Sequence, residues 1–142
     1  MEVTQLYKDF SEVVKDISVI HHIMVGEINS RGHAVGFHHE GDLSKGKSEV
    51  IEATRKAKDD HGIYEAGVII FGIQKRGASS FYPSSYSPEE VLNGIKEAYN
   101  KKNRVKYRLY EATLANGIII HFYQDEDADY GKIVTAYPKY QA

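Results

Sequence analysis

Apolar residues recur along this chain with two different periods, and the change from one to the other organises it. Near the N-terminus Leu6, Phe10, Val13, Val14 and Ile17 fall on one face at helical spacing, so an amphipathic helix is expected there. A short apolar stretch follows at residues 19–25, interrupted by His21 and His22. Residues 29–47 lose the pattern, and their glycine, histidine and charge predict a loop. Residues 48–58 return to helical spacing, with Val50, Ile51 and Ala57 inward and Glu49, Arg55, Lys56 and Lys58 outward.

From Gly62 the chain reads as β. Residues 64–73 predict one strand, with 68–71 buried on both faces. Ser87-Pro88-Glu89-Glu90 predicts a helix start: Ser87 caps, Pro88 suits the first turn and Glu90 closes a capping box. Val91, Leu92, Ile95, Ala98 and Tyr99 supply that helix's inner face. Residues 104–114 predict a strand, Asn116-Gly117 a tight turn, and 118–123 the returning strand. An acidic loop at 125–130 and a last strand at 132–137 complete the chain. Helices early and antiparallel strands late make the expected class α+β. No repeat or low-complexity linker interrupts the 142 residues, a length that fits one domain.

Composition narrows the chemistry. With no cysteine there is no disulfide framework and no thiolate metal site. The formal net charge of −2 is unlike that of a binder relying on bulk attraction to nucleic acid, so any RNA affinity needs a local cluster of cations. Glu2, Lys8, Asp9, Glu12, Lys15 and Asp16 put too much charge at the N-terminus for a secretion signal. No apolar run is long enough for a membrane span, and no membrane anchor is expected in this segment.

Of seven histidines, four lie between His22 and His39. Two histidines can divide general base and general acid between them near neutral pH. RNA cleavage by the ribose 2′-hydroxyl needs such a pair, plus a cation for the charge that builds on phosphorus. A solvated histidine-rich loop would have the same composition. Metal binding by His33, His38, His39, Glu40 and Asp42 is a further alternative, although no His-Glu-x-x-His or comparable ligand spacing is present.

The segment His22-Ile23-Met24-Val25-Gly26-Glu27, followed by Val35-Gly36-Phe37-His38, resembles the double-histidine signature of the EndoU family of uridylate-specific endoribonucleases. Lys75 followed by Ser79-Ser80-Phe81-Tyr82-Pro83 resembles the family's lysine and the serine-aromatic-proline stretch of its bacterial branch. Ile133-Val134-Thr135-Ala136-Tyr137-Pro138 is similar to its closing strand. The motifs stand in family order and span nearly the whole chain. His21 and His39 adjoin the pair, but the anchors Gly26 and Gly36 favour His22 and His38.

The resemblance implies His22, His38 and Lys75 as catalytic residues, with His38 as base and His22 as acid. It implies Tyr137 as the ring that orients ribose and base, and Ser79 and Thr135 as readers of uracil. For Ser79 and Thr135 the plain alternatives are a turn cap and an ordinary strand residue. Glu27 would orient a histidine or cap a turn. His33 falls where the family varies and reads as loop, and His61 and His121 lie outside the motifs. The implied architecture is N-terminal helices with two small antiparallel sheets flanking a cleft. Some animal members respond to manganese; nothing here supplies an obvious cation cage, so chemistry without a cofactor or metal is expected. The bacterial branch implies a C-terminal toxin domain of a larger secreted or contact-delivered protein. That domain would act in a target-cell cytoplasm on RNA, typically tRNA, and be blocked by a cognate immunity protein. A catalytically inactive RNA- or protein-binding module and a histidine-based metal-dependent hydrolase are the other readings.

Overall fold

A computed structural model describes residues 3–125 and 131–142 of the chain. Its helices are α1 (Val3–Phe10), α2 (Ile17–Met24) and α3 (Pro88–Lys101). Between α2 and α3 lie the short strands β1 (Glu27–Ile28), β2 (Ala34–Val35), β3 (Ser48–Val50), β4 (Tyr64–Ala66), β5 (Val68–Ile70), β6 (Ile73–Gln74) and β7 (Ser79–Phe81). After α3 come β8 (Asn103–Lys106), β9 (Leu109–Thr113), β10 (Ile119–Gln124) and β11 (Ile133–Pro138).

The class is α+β, as expected. The last four strands form one antiparallel sheet in the order β11-β10-β9-β8. Its inner face meets the helices in a core that includes Leu6, Ile20, Ile23, Leu92, Ile95, Ile120 and Phe122. The other half carries β1-β2, β3-β5-β6 and β4-β7 as separate small antiparallel sheets around a second core of Phe37, Tyr64, Val68, Ile70 and Phe81.

The capping box is present: Glu90 N–H donates to Ser87 Oγ (3.1 Å) and Ser87 N–H donates to Glu90 Oε1 (3.0 Å). Asn116 also acts as expected, accepting from Ile118 N–H (3.0 Å) to tighten the β9–β10 turn. Four other expectations need correction. The first helix stops at Phe10, and α2 starts afresh behind Asp16, whose carboxylate caps the Ser18 N–H. Val13 and Val14 are still buried, held by strand-like bonds to Ile133.

Residues 48–58 are not helical. Ser48, Glu49 and Val50 pair with the β-branched Ile70, Ile69 and Val68, so the segment satisfies its backbone at a sheet edge. A 3-10 turn then runs Glu52–Thr54, closed by Thr54 Oγ1 donating to Ile51 O and accepting from Gly67 N–H (2.6 and 2.7 Å). The strand expected at 64–73 breaks at Gly67, because β4 pairs with β7 while β5 pairs with β3 and β6. Residues 104–114 likewise divide at a two-residue turn, Tyr107-Arg108. Apart from Asp125, the acidic loop lies outside the described residues. Among the described residues no helix is long and apolar enough to cross a membrane.

Candidate active site

His22 sits in the last turn of α2, where carbonyls lack helical partners. The chain then turns back through the β1–β2 hairpin, whose tip is tied by Asn29 Oδ1 to the N–H groups of Arg31 and His33 (3.0 Å each). This return supplies the missing donors: Phe37 N–H bonds His22 O (2.9 Å) and His38 N–H bonds Ile23 O (2.7 Å). The two histidines are thus tied backbone to backbone, and their rings stand 6.4 Å apart between centroids.

Gly36 permits the approach. Its φ is +84°, and an added Cβ would lie 2.3 Å from His22 O and 3.1 Å from His22 Cδ2. Gly36→Ala is therefore expected to push the His22 ring off its position and cut kcat/KM about 100-fold, the scale of a 1 Å misplacement. Circular dichroism on the same sample checks that the fold survives.

The second nitrogen of each ring can be assigned from its partner. His38 Nδ1 lies 2.8 Å from Ser80 O, and a carbonyl only accepts, so Nδ1 carries the proton and Nε2 has the lone pair of the neutral ring. His38 is 6% exposed. Burial, then the Lys75 charge and His22, push its pKa down to about 3, against the Ser80 bond, which raises it. His22 Nδ1 meets Glu27 Oε1 at 2.6 Å, so the carboxylate orients that ring and Nε2 remains for a substrate.

His38 also makes the fold acid-sensitive. Its pKa falls from 6.5 to about 3 on folding, so the unfolded chain binds more protons between those values. Its stabilising contribution is complete above pH 6.5 and is lost as pH falls toward 3. Urea midpoints are expected to drop through this window by the equivalent of a few kcal/mol, on the order of 5, and His38→Gln should flatten that dependence.

Lys75 follows β6 and is half-buried, which pushes its pKa down to about 8. Its Nζ donates to Gly36 O (3.1 Å) and to Ser79 Oγ (2.8 Å). Ser79 is fully buried, and its hydroxyl donates onward to Gly36 O (3.0 Å), so its polar capacity is taken by the lysine and that carbonyl. From the opposite side β11 contributes Thr135 and Tyr137. The Tyr137 ring stacks on His38 at 5.7 Å and meets His121 edge-on at 5.8 Å. Burial first, and then Tyr123, hold its phenol above the ordinary value.

These residues share one hollow of about 360 Å³, lined by His22, His38, Lys75, Thr135 and Tyr137 among others. Ser79 and Glu27 stand behind that wall. The neighbouring histidines have other partners: His21 stacks on Phe71, His39 donates to Tyr86 O (2.7 Å) and His121 bonds Glu111 (2.9 Å). Glu40 is taken by Arg55 (2.7 Å) and Tyr64. Among the described residues no three His, Asp or Glu side chains gather as a metal-ligand set. The Ser80 carbonyl that sets the His38 tautomer left no mark in the sequence, since every residue carries a carbonyl.

No solved structure matched the chain. A protein named Toxin from Bacillus cereus (strain ATCC 14579) is 37% identical over 124 residues, 85% of this chain. The chain spans 22% of that relative's length. Residues 18–140 match the family model described as bacterial EndoU nuclease, and so take in every side chain of the hollow. The chain belongs to the bacterial EndoU nuclease family.

Proposed function

We propose that the protein is an endoribonuclease that cuts single-stranded RNA after uridine by transesterification, and that it is the toxic domain of a longer protein. The observation that carries this reading is the shared hollow, where two imidazoles 6.4 Å apart and an ammonium border one space. His38 Nε2 accepts the proton of the ribose 2′-hydroxyl as the 2′-oxygen bonds to the adjacent phosphorus. The P–O5′ bond breaks as His22 protonates the departing oxygen. The products are a 2′,3′-cyclic phosphate and a 5′-hydroxyl. A proton has then moved from His22 to His38, and exchange with water restores both rings.

Lys75 stabilises the negative charge on the non-bridging oxygens, and Ser79 holds its ammonium in place. Tyr137 orients ribose and base, as aromatic rings do for unstacked nucleotides. Thr135 reads the uracil edge. Ser79 has its hydroxyl engaged, so base reading rests on Thr135 more than on Ser79. Glu27 orients His22. DNA lacks the nucleophile and binds without being cut. The scheme requires no metal.

The name of the Bacillus cereus relative and its greater length support a toxin domain carried into a target cell by a larger polypeptide. A tRNA is the proposed target. A cognate immunity protein, acidic where it meets Lys75 and Arg76, is the proposed partner.

A uridine-containing oligoribonucleotide incubated with the protein and EDTA tests the reaction. Cleavage after uridine with a cyclic-phosphate end is expected. Activity lost to EDTA would replace this scheme with a metal-dependent hydrolase, and binding without cleavage would make the protein a binding module.

A further inference from the structure

The hairpin joining β5 to β6 breaks a local rule. Ile70 pairs with Ile73, leaving Phe71 and Gly72 as a two-residue turn with φ of 47° and 79°. Positive φ at both positions is the type I′ form, in which asparagine, aspartate or glycine ordinarily stands first. A phenylalanine in the left-handed region is strained. It gains little burial in return: Phe71 is 47% exposed, although the apolar run around it predicts an interior residue. Where local preference and burial both fail at one residue, a functional role is the first place to look.

The surroundings fit a flat ligand. The His21 ring lies parallel to Phe71, 6.4 Å away with 5° between planes. Ile17, one helical turn before His21, is 41% exposed and Ile73 is 40% exposed, so the platform has an apolar border. One cationic residue adjoins it: the exposed Lys47, whose carbonyl accepts the Phe71 N–H (2.8 Å). Two elements link the platform to the hollow. His21 adjoins His22 on α2, and β6 runs from the turn directly into Lys75. Lys75 N–H bonds Val68 O, so the turn lies three residues, about 10 Å, further along the hairpin.

We infer that Phe71, backed by His21, is a stacking subsite for a nucleobase flanking the cleaved uridine. Bases stack on exposed aromatic rings irrespective of sequence, and nearby cations meet the backbone phosphates. The subsite lengthens the grip on single-stranded RNA without adding to the chemistry. It rests on the reading of the protein as an RNA endonuclease.

Phe71→Asn tests it without endangering the fold, because Asn-Gly is a favoured pair for this turn. The variant is expected to keep or raise its thermal midpoint. On an oligoribonucleotide with one uridine, KM should rise about tenfold with kcat retained. On uridine 3′-(4-nitrophenyl phosphate), which has no flanking base, wild type and variant should be equal. Replacing the flanking nucleotides one at a time by abasic residues should remove the wild-type advantage at one position. Equal KM on the oligoribonucleotide would overturn the subsite. Equal RNA kinetics with self-association lost on sedimentation would also overturn it and assign the patch to a second copy of the chain. A wild type that cleaves neither substrate would instead sink the endonuclease reading itself.

Discussion

Alanine at His38 is expected to lower kcat on a uridine oligonucleotide by about 10²–10⁴-fold, the span a positioned acid–base group contributes. The change also strands the Ser80 carbonyl that His38 Nδ1 now satisfies, so a stability loss of about 1–3 kcal/mol accompanies it. Unfolding curves at neutral pH separate the two effects. His22→Ala should be similarly inactive on the oligonucleotide, and the leaving group distinguishes the roles. Nitrophenolate departs without a proton, so His22→Ala should recover on uridine 3′-(4-nitrophenyl phosphate) while His38→Ala should not. The reverse pattern would exchange acid and base. Full activity of either variant on RNA would remove that residue from the chemistry.

A pKa of about 3 makes His38 reliably neutral but weakly basic in the free protein. Two of the causes are the charges of Lys75 and His22, and a bound phosphodiester carries the opposite sign. In the proposed reaction, binding of that anion would raise the basicity of Nε2 at the step that needs it. The same anion, placed against Lys75 as proposed, would offset the burial of its ammonium.

The residues that line the hollow were more legible in the sequence than their support. His22 and His38 stand 16 positions apart, and Gly26 and Gly36 mark the turns that bring them together. Those side chains and glycines are identities, which a sequence states directly. Backbone bonds from Phe37 and His38 to the end of α2 bring His22 and His38, and not His21 or His39, to the hollow. The segment 48–58 misled because its helical spacing was weaker than the pairing of Ser48–Val50 with Val68–Ile70, a partner about twenty residues away. Phe71 misled for a related reason. An apolar run of that kind reads as a buried strand, and only the positive φ of Phe71 and Gly72 places a turn inside it. The burial of Lys75 depends on where Gly36 and Ser79 arrive in space, and nothing local encodes it.

Lys75→Ala is expected to reduce kcat/KM by about 10²–10³-fold at neutral pH, the loss typical of one preorganised donor to a developing anion. The pH dependence of that loss identifies its cause. Burial lowers the ammonium's pKa to about 8, so the wild-type lysine is charged below that value and neutral above it. The ratio of wild-type to Lys75→Ala activity should therefore be largest in the acid-to-neutral range and decline toward unity as pH rises beyond about 9. Lys75→Arg keeps its charge throughout, so the alkaline decline in its own ratio to Lys75→Ala should vanish even where the longer fork fits imperfectly. A ratio constant across the range would mean that Lys75 acts by packing against Gly36 and Ser79 and not by its charge on the reacting phosphate.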